Sequence, residues 1–182
     1  MKIWNARLSL VLIFFLTAVT VPVNSFADDP SETAGDILQI ALPAMAYGMT
    51  FAYQDDEGRQ QFYPSFFSTL GITYALKYSI ESQRPNGGNR SFPSGHTSAA
   101  FSGASFIQRR YGWVYGAPAY LAASFVGWSR IESEDHYVED VLAGAGIGIL
   151  CTYLFTKPYL DKMTVLPFVS DKKFGVTLVV AW

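Results

Sequence analysis

Charge is what this chain has least of. Only 15% of its residues are Asp, Glu, Lys or Arg, against roughly a quarter in soluble domains. The formal net charge is −2, and the missing basic excess excludes a nucleic-acid footprint. Cysteine is almost absent. Cys151 stands alone in an apolar run, so no internal disulfide can form even in an oxidising compartment, and it reads as a small core residue. No internal repeat or low-complexity segment is visible. Histidine occurs twice, at His96 and His136, and both positions are polar junctions that open apolar helices.

What is abundant is apolar surface. Half of the 182 residues are hydrophobic and 16% are aromatic, a balance that leans toward a membrane or a membrane surface. The length fits one domain with a real core. At the N-terminus, Lys2 and Arg7 precede an apolar run from Leu8, and Ser25 and Ala27 stand at −3 and −1 before an acidic start. This is the pattern of a secretory signal peptide over 1–27; the alternative is a retained first membrane helix, since the run is nearly long enough to span. A helical domain is expected over 28–158 and a tail over 159–182.

The expected fold is all-α, a compact bundle of about five helices near 35–53, 62–82, 96–110, 113–129 and 137–156, joined by short polar or glycine-rich loops. The third helix is dense in Ser, Ala and Gly, and the fifth carries Gly144 and Gly148 in a small-xxx-small spacing that lets backbones approach. Beyond Pro158, Phe174, Val176, Leu178, Val180 and Trp182 alternate with smaller residues around a DKK turn, which predicts a terminal β-hairpin.

Three polar junctions hold the chemistry. KYSIESQRP closes the second helix with Lys77, Arg84 and Pro85; PSGH at 93–96 opens the third; and SRIESEDHYVED, from Ser129 to Asp140, joins the fourth to the fifth. Singly, each has a plain reading: a snorkelling lysine, a turn before a helix, an arginine at a helix C-terminus, a solvated charge run. In an up-and-down bundle, however, all three fall at the same end. One pocket then collects Lys77, Arg84, Arg130, both histidines and the N–H groups opening the third helix, which is what a phosphate needs. His136 and Asp140 are four apart, so on one helical face the carboxylate accepts the imidazole N–H and fixes its tautomer. Glu132, Glu134 and Asp135 are expected on the solvated outer rim.

Taken together, K-x6-RP, PSGH and SR-x5-H-x3-D resemble the signature of the type 2 phosphatidic acid phosphatase (PAP2) superfamily, which also holds bacterial class A acid phosphatases and vanadium haloperoxidases. All eleven specified positions match in order, from Lys77 to Asp140. RRYGW and LCTYLFTKP add a softer similarity to small bacterial lipid A phosphatases. The resemblance implies that His136 is the nucleophile and Asp140 orients it. His96 would be the acid that protonates the leaving oxygen, and Lys77, Arg84, Ser94, Gly95 and Arg130 would hold the phosphate. Three cations and an N–H nest serve phosphoryl transfer through positioning and charge, so no metal and no cofactor is expected. One histidine must be neutral and the other protonated, so their environments should push the two pKa values apart.

The expected function is a metal-independent phosphatase that hydrolyses a lipid phosphate or pyrophosphate monoester through a phosphohistidine. The expected partners are a phosphorylated lipid substrate and a membrane, with no nucleic acid. Its expected place is a bacterial inner membrane, with the pocket facing the periplasm. With those three cations set aside, the outer segments keep Arg90, whereas the inner ones hold Arg59, Arg109, Arg110, Lys157, Lys162, Lys172 and Lys173, a positive-inside bias. Four other readings compete: a soluble periplasmic acid phosphatase of broad specificity, a haloperoxidase, a non-catalytic membrane scaffold, and a metal site built on His136 with Glu132 and Asp135. The Asn86-Gly87-Gly88-Asn89-Arg90 stretch reads as a plain loop, or as a lid whose Arg90 meets a second phosphate or a head group.

Overall fold

The computed structural model describes residues 30–159 and, in the tail, the backbone of 163–170 and 173–180. The expected leader lies outside the described residues. Five helices follow one another: α1 Pro30–Ala52, α2 Asp56–Ser79, α3 Gly95–Tyr111, α4 Trp113–Glu132 and α5 Val138–Phe155. Two strands come after them, β1 Met163–Ser170 and β2 Lys173–Val180, paired antiparallel with Met163 opposite Val180 and Ser170 opposite Lys173. The tail side chains, whose alternation the sequence pattern rests on, lie outside the described residues.

Two helices start earlier than their apolar periodicity predicts. α1 begins at Pro30, and proline is pre-organised for a first helical turn. α2 begins at Asp56, not near 62, because Asp55 caps it: its Oδ1 accepts the Gly58 N–H at 2.9 Å. Asp56 and Glu57 then lie where the helix dipole favours negative charge. Pro64 therefore sits inside α2 and not at its start.

α3 is the central helix, packed against α1, α4 and α5. Its small residues make this possible. A Cβ on Gly103 would lie 2.5 Å from the Pro43 nitrogen of α1, so α1 and α3 touch backbone to backbone where proline has no N–H to offer. On the other side, Cβ atoms on Gly144 and Gly148 of α5 would meet the carbonyl oxygens of Ser94 and Ser98 at 2.5 and 2.6 Å. The core between these contacts includes Leu42, Met45, Phe62, Phe106, Ile107 and Val126. A hydroxyl seam joins α2 to α5, where Ser65 Oγ donates to Thr152 Oγ1 at 3.1 Å.

The end of the bundle remote from the three junctions is locked by a buried ion pair. Asp55 is 3% and Arg110 4% exposed; Arg110 Nε donates to Asp55 Oδ2 at 2.7 Å and Nη1 to the Lys157 carbonyl at 3.0 Å. Removing one member of such a pair costs about 3–5 kcal/mol, because its partner stays buried and uncompensated. The outer surface is apolar along the helices, with Val114, Leu121, Leu142 and Leu154 each about two-thirds exposed or more. Among the described residues only α5 combines the length and hydropathy of a span, 18 residues at mean hydropathy 1.5.

Candidate active site

The opposite end of the bundle gathers the starts of α1, α3 and α5 and the ends of α2 and α4. The three junctions meet there. Ser94 caps α3, its Oγ accepting the Thr97 N–H at 3.4 Å and the Thr97 hydroxyl at 2.9 Å. No acidic residue lies in the first turn of α3, so no carboxylate of its own first turn offsets the positive end of its dipole. The Ser94 N–H donates to the Asp140 carbonyl at 3.0 Å, tying the PSGH turn directly to the start of α5.

Lys77, in the last turn of α2, donates from Nζ to the carbonyls of Arg90 at 2.8 Å and Ser91 at 3.2 Å. Burial is the main cause that lowers its pKa, followed by Arg84. Arg84 lies beyond α2 and reaches Asp135 Oδ1 with Nη1 at 3.0 Å, while its Nε donates to the Asn89 carbonyl at 3.3 Å. Arg130 is 1% exposed. Its Nη2 donates to the Glu32 carbonyl at 2.7 Å, and Nη1 lies 3.0 Å from Asp36 Oδ1 and 3.4 Å from Asp135 Oδ2.

His136 is 2% exposed and sits in the junction before α5, whose N-cap is Tyr137. The two residues therefore do not share a helical face as the spacing predicts; Asp140 alone is helical. Nor is the imidazole's nearest partner the carboxylate. Nδ1 lies 3.6 Å from Asp140 Oδ2 and 3.3 Å from Ser91 Oγ. Asp140 Oδ2 is already engaged, accepting the Tyr137 N–H at 2.9 Å and the Ser91 hydroxyl.

Burial, then the positive charges of Arg84 and Lys77, push the His136 pKa down from 6.5 to about 4, against the pull of Asp140 and Asp135. His136 is thus neutral near pH 7. His96, second residue of α3, is also lowered, first by burial and then by Arg130, while Asp36 and Asp135 oppose the shift. The two histidines are therefore displaced in the same direction, not in opposite ones: burial leads for both, and Arg84 acts on both, joined by Lys77 at His136 and by Arg130 at His96. Nε2 of His96 lies 3.1 Å from Asp36 Oδ1.

Two acidic residues take places the sequence pattern does not assign. Asp135 is not a rim residue. Its side chain is 18% exposed and binds Arg84, Arg130 and the Asn86 amide, the last at 3.0 Å. Asp36 comes from α1, outside the three junctions. Gly35 brings it in, because any Cβ there would lie 2.2 Å from Ser129 Oγ, so α1 reaches the site only where no side chain intervenes. A glycine followed by an acid near a helix start is the one sequence sign of this contact. The 86–90 stretch is likewise more than a plain loop: Arg84 N–H donates to the Gly88 carbonyl at 2.7 Å, and Asn86 N–H to the Glu134 carbonyl at 3.1 Å. Beside it opens a cleft of about 600 Å³ lined by Glu81, Ser82, Gln83, Asn89 and Arg90, with the Arg90 guanidinium 4.4 Å from the centre of the Tyr78 ring.

Histidines, cations and a helix N-terminus thus meet at one end of a bundle of five described helices. The model of the PAP2 superfamily matches residues 50–163, and the chain belongs to that superfamily. Its enzymatic class is that of a phosphoric monoester hydrolase. It is similar to a lipid A 4'-phosphatase of Helicobacter pylori, 28% identical over 83% of this chain and 85% of that protein. A lipid A 1-phosphatase of the same species is 31% identical over 67% of this chain and 65% of its own length. Among solved structures, LpxE of Aquifex aeolicus shares the fold with a TM-score of 0.56 at 23% identity, covering 70% of this chain and 87% of that one.

Proposed function

We propose that the chain is a lipid phosphatase whose His136 attacks the phosphorus of a membrane-borne phosphate or pyrophosphate monoester, forming a phosphohistidine at the outer, periplasmic face of a membrane. The observation that carries this reading is a neutral, buried imidazole facing the charges of Lys77 and Arg84, with Arg130 acting on the neighbouring His96 at the start of α3. A neutral imidazole has the lone pair that a nucleophile needs. The cations and the α3 terminus spread positive charge where negative charge collects on the equatorial oxygens, so the arrangement serves phosphoryl transfer through electrostatics and position.

The steps follow from charge. Phosphate enters as an anion, and an anion beside His96 favours its protonated form. Asp36, 3.1 Å from Nε2, favours that form too. As the P–O bond breaks, the leaving alkoxide takes the His96 proton. Neutral His96 then accepts a proton from water as that water attacks the phosphohistidine, releasing phosphate and restoring both histidines. Asp135 bridges the arginines in the resting chain and gives way as phosphate oxygens take up their N–H groups. The metal-site reading has no support from this residue, whose carboxylate faces two guanidinium groups.

The substrate is drawn as a lipid because the helices carry apolar side chains outward and because the relatives over most of the chain are lipid A phosphatases. A phosphorylated saccharolipid of that kind places its head group toward the cleft beside Arg90. One observation favours the soluble periplasmic acid phosphatase instead: a single described helix passes as a span. Phosphate release should be measured over lipid A phosphates, undecaprenyl pyrophosphate, phosphatidylglycerophosphate and soluble esters, with and without a chelator and vanadate. The expected result is preference for a lipid, indifference to chelator and inhibition by vanadate, whose geometry mimics the transferring phosphoryl group. Equal rates on soluble esters support the soluble reading, and chelator-sensitive activity restored by zinc or magnesium refutes the mechanism.

A further inference from the structure

Ser91 is fully buried and touches three of the site's charged or titratable groups. Its carbonyl accepts from Lys77 Nζ at 3.2 Å, its hydroxyl reaches Asp140 Oδ2, and the same oxygen lies 3.3 Å from His136 Nδ1. Its own N–H is held by the Ser82 carbonyl at 3.1 Å, so the side chain cannot drift without breaking the link between α2 and α3. We propose that Ser91 is the positioning residue of the nucleophile, a hydroxyl inserted between His136 and Asp140 that sets the imidazole tautomer in place of a direct carboxylate contact.

Counting protons leads to this assignment. A serine has one hydroxyl hydrogen and two lone pairs, and an ionised carboxylate only accepts. Asp140 Oδ2 lies closer to Ser91 Oγ than His136 Nδ1 does, so the hydroxyl hydrogen goes to Asp140. Ser91 then faces His136 as an acceptor, and Nδ1 must carry the hydrogen. That leaves the Nε2 lone pair free. Asp140 acts one bond further away, fixing Ser91 while its other contact, the Tyr137 N–H, starts α5. The proposal rests on the reading of His136 as nucleophile, although the tautomer itself is independent of it.

The test uses the full chain in detergent with Ser91→Ala and, as the variant that keeps a hydroxyl, Ser91→Thr. The chain has two histidines, so nitrogen-15 NMR resolves the imidazoles, with His96→Ala giving the assignment. Wild-type His136 should be purely the Nδ1–H form at neutral pH, S91A a mixture of tautomers, and S91T the Nδ1–H form again. In parallel, S91A should lower kcat roughly 10- to 100-fold, the range typical when a partner that orients an active side chain is lost, with KM within about threefold. A pure Nδ1–H signal in folded S91A overturns the proposal, as does a kcat within twofold of wild type. A tautomer mixture in S91A, with phosphate trapped on a residue other than His136, upholds the hydrogen-bond relay and refutes the nucleophile reading.

Discussion

Two glycines of α5, Gly144 and Gly146, should respond to the same substitution with opposite signs. At Gly144 an alanine Cβ would sit 2.5 Å from the Ser94 carbonyl oxygen and 3.3 Å from the Ser98 nitrogen, whereas at Gly146 nothing lies within 4 Å. Ordinary contact begins near 3.4 Å, so Gly144→Ala must part α5 from the PSGH turn by about 1 Å, and overpacking of this kind costs about 1–3 kcal/mol. Alanine in place of glycine gains up to about 1 kcal/mol in either helical position. The Gly146→Ala chain should therefore be the more stable by about 1–3 kcal/mol, or roughly 2–12 °C in Tm for a chain of this size. The displaced backbone belongs to the site. Ser94 N–H holds the Asp140 carbonyl, so parting them moves His96 relative to His136, and a misplacement of about 1 Å can cost about 100-fold in rate. Thermal unfolding and lipid phosphatase turnover in one detergent measure both effects. Equal Tm and equal kcat for the two variants would refute the close approach of α5 to α3 on which the site geometry depends.

Replacing His96 by Ala should slow alkyl phosphates far more than aryl phosphates, which leave without much protonation; equal losses in both would remove the acid role. Asp36→Asn takes away a negative charge that raises the His96 pKa, so the basic limb of the kcat profile, set by loss of the His96 proton, should move to lower pH. An unmoved basic limb would separate Asp36 from the chemistry. For His136 the sign runs the other way. Its folded pKa of about 4 lies below the usual 6.5, so kcat/KM in the free enzyme should hold down to about pH 4 before protonation removes the nucleophile. Since the unfolded chain takes up this proton first, stability should also fall as pH drops from about 6.5 through 4. An acid limb near 6.5 would contradict the burial and the cations assigned to the site.

Much of this arrangement was legible in the residues. Five helices follow from apolar stretches separated by polar junctions, and the up-and-down order puts Lys77, Arg84, His96, Arg130 and His136 at one end. Those residues lie close along the chain or at fixed spacings, so pattern reading finds them. What it missed depends on packing between segments far apart in sequence. Asp36 enters through the contact of Gly35 with Ser129, a meeting of α1 and α4 that neither stretch announces. Asp135 looks like one member of a solvated acidic run until the Arg84 and Arg130 guanidinium groups are placed beside it. Ser91 is one serine among many, and its standing comes from the distance between His136 and Asp140 being too long for a direct bond. The late start assigned to α2 has the same origin, since Asp55 acts as a cap while Arg110, 55 residues away, neutralises it.

Trapping the covalent intermediate tests the central claim most directly. Wild-type chain and His136→Ala should be mixed with phosphorus-32-labelled lipid phosphate and denatured within milliseconds in alkaline detergent, which preserves a phosphoramidate. The expected result is label on the wild-type protein that is stable in alkali, lost in acid and recovered on the peptide containing His136, with none on the variant, whose turnover is also abolished. Undiminished labelling of His136→Ala, or turnover that survives the substitution, would contradict it.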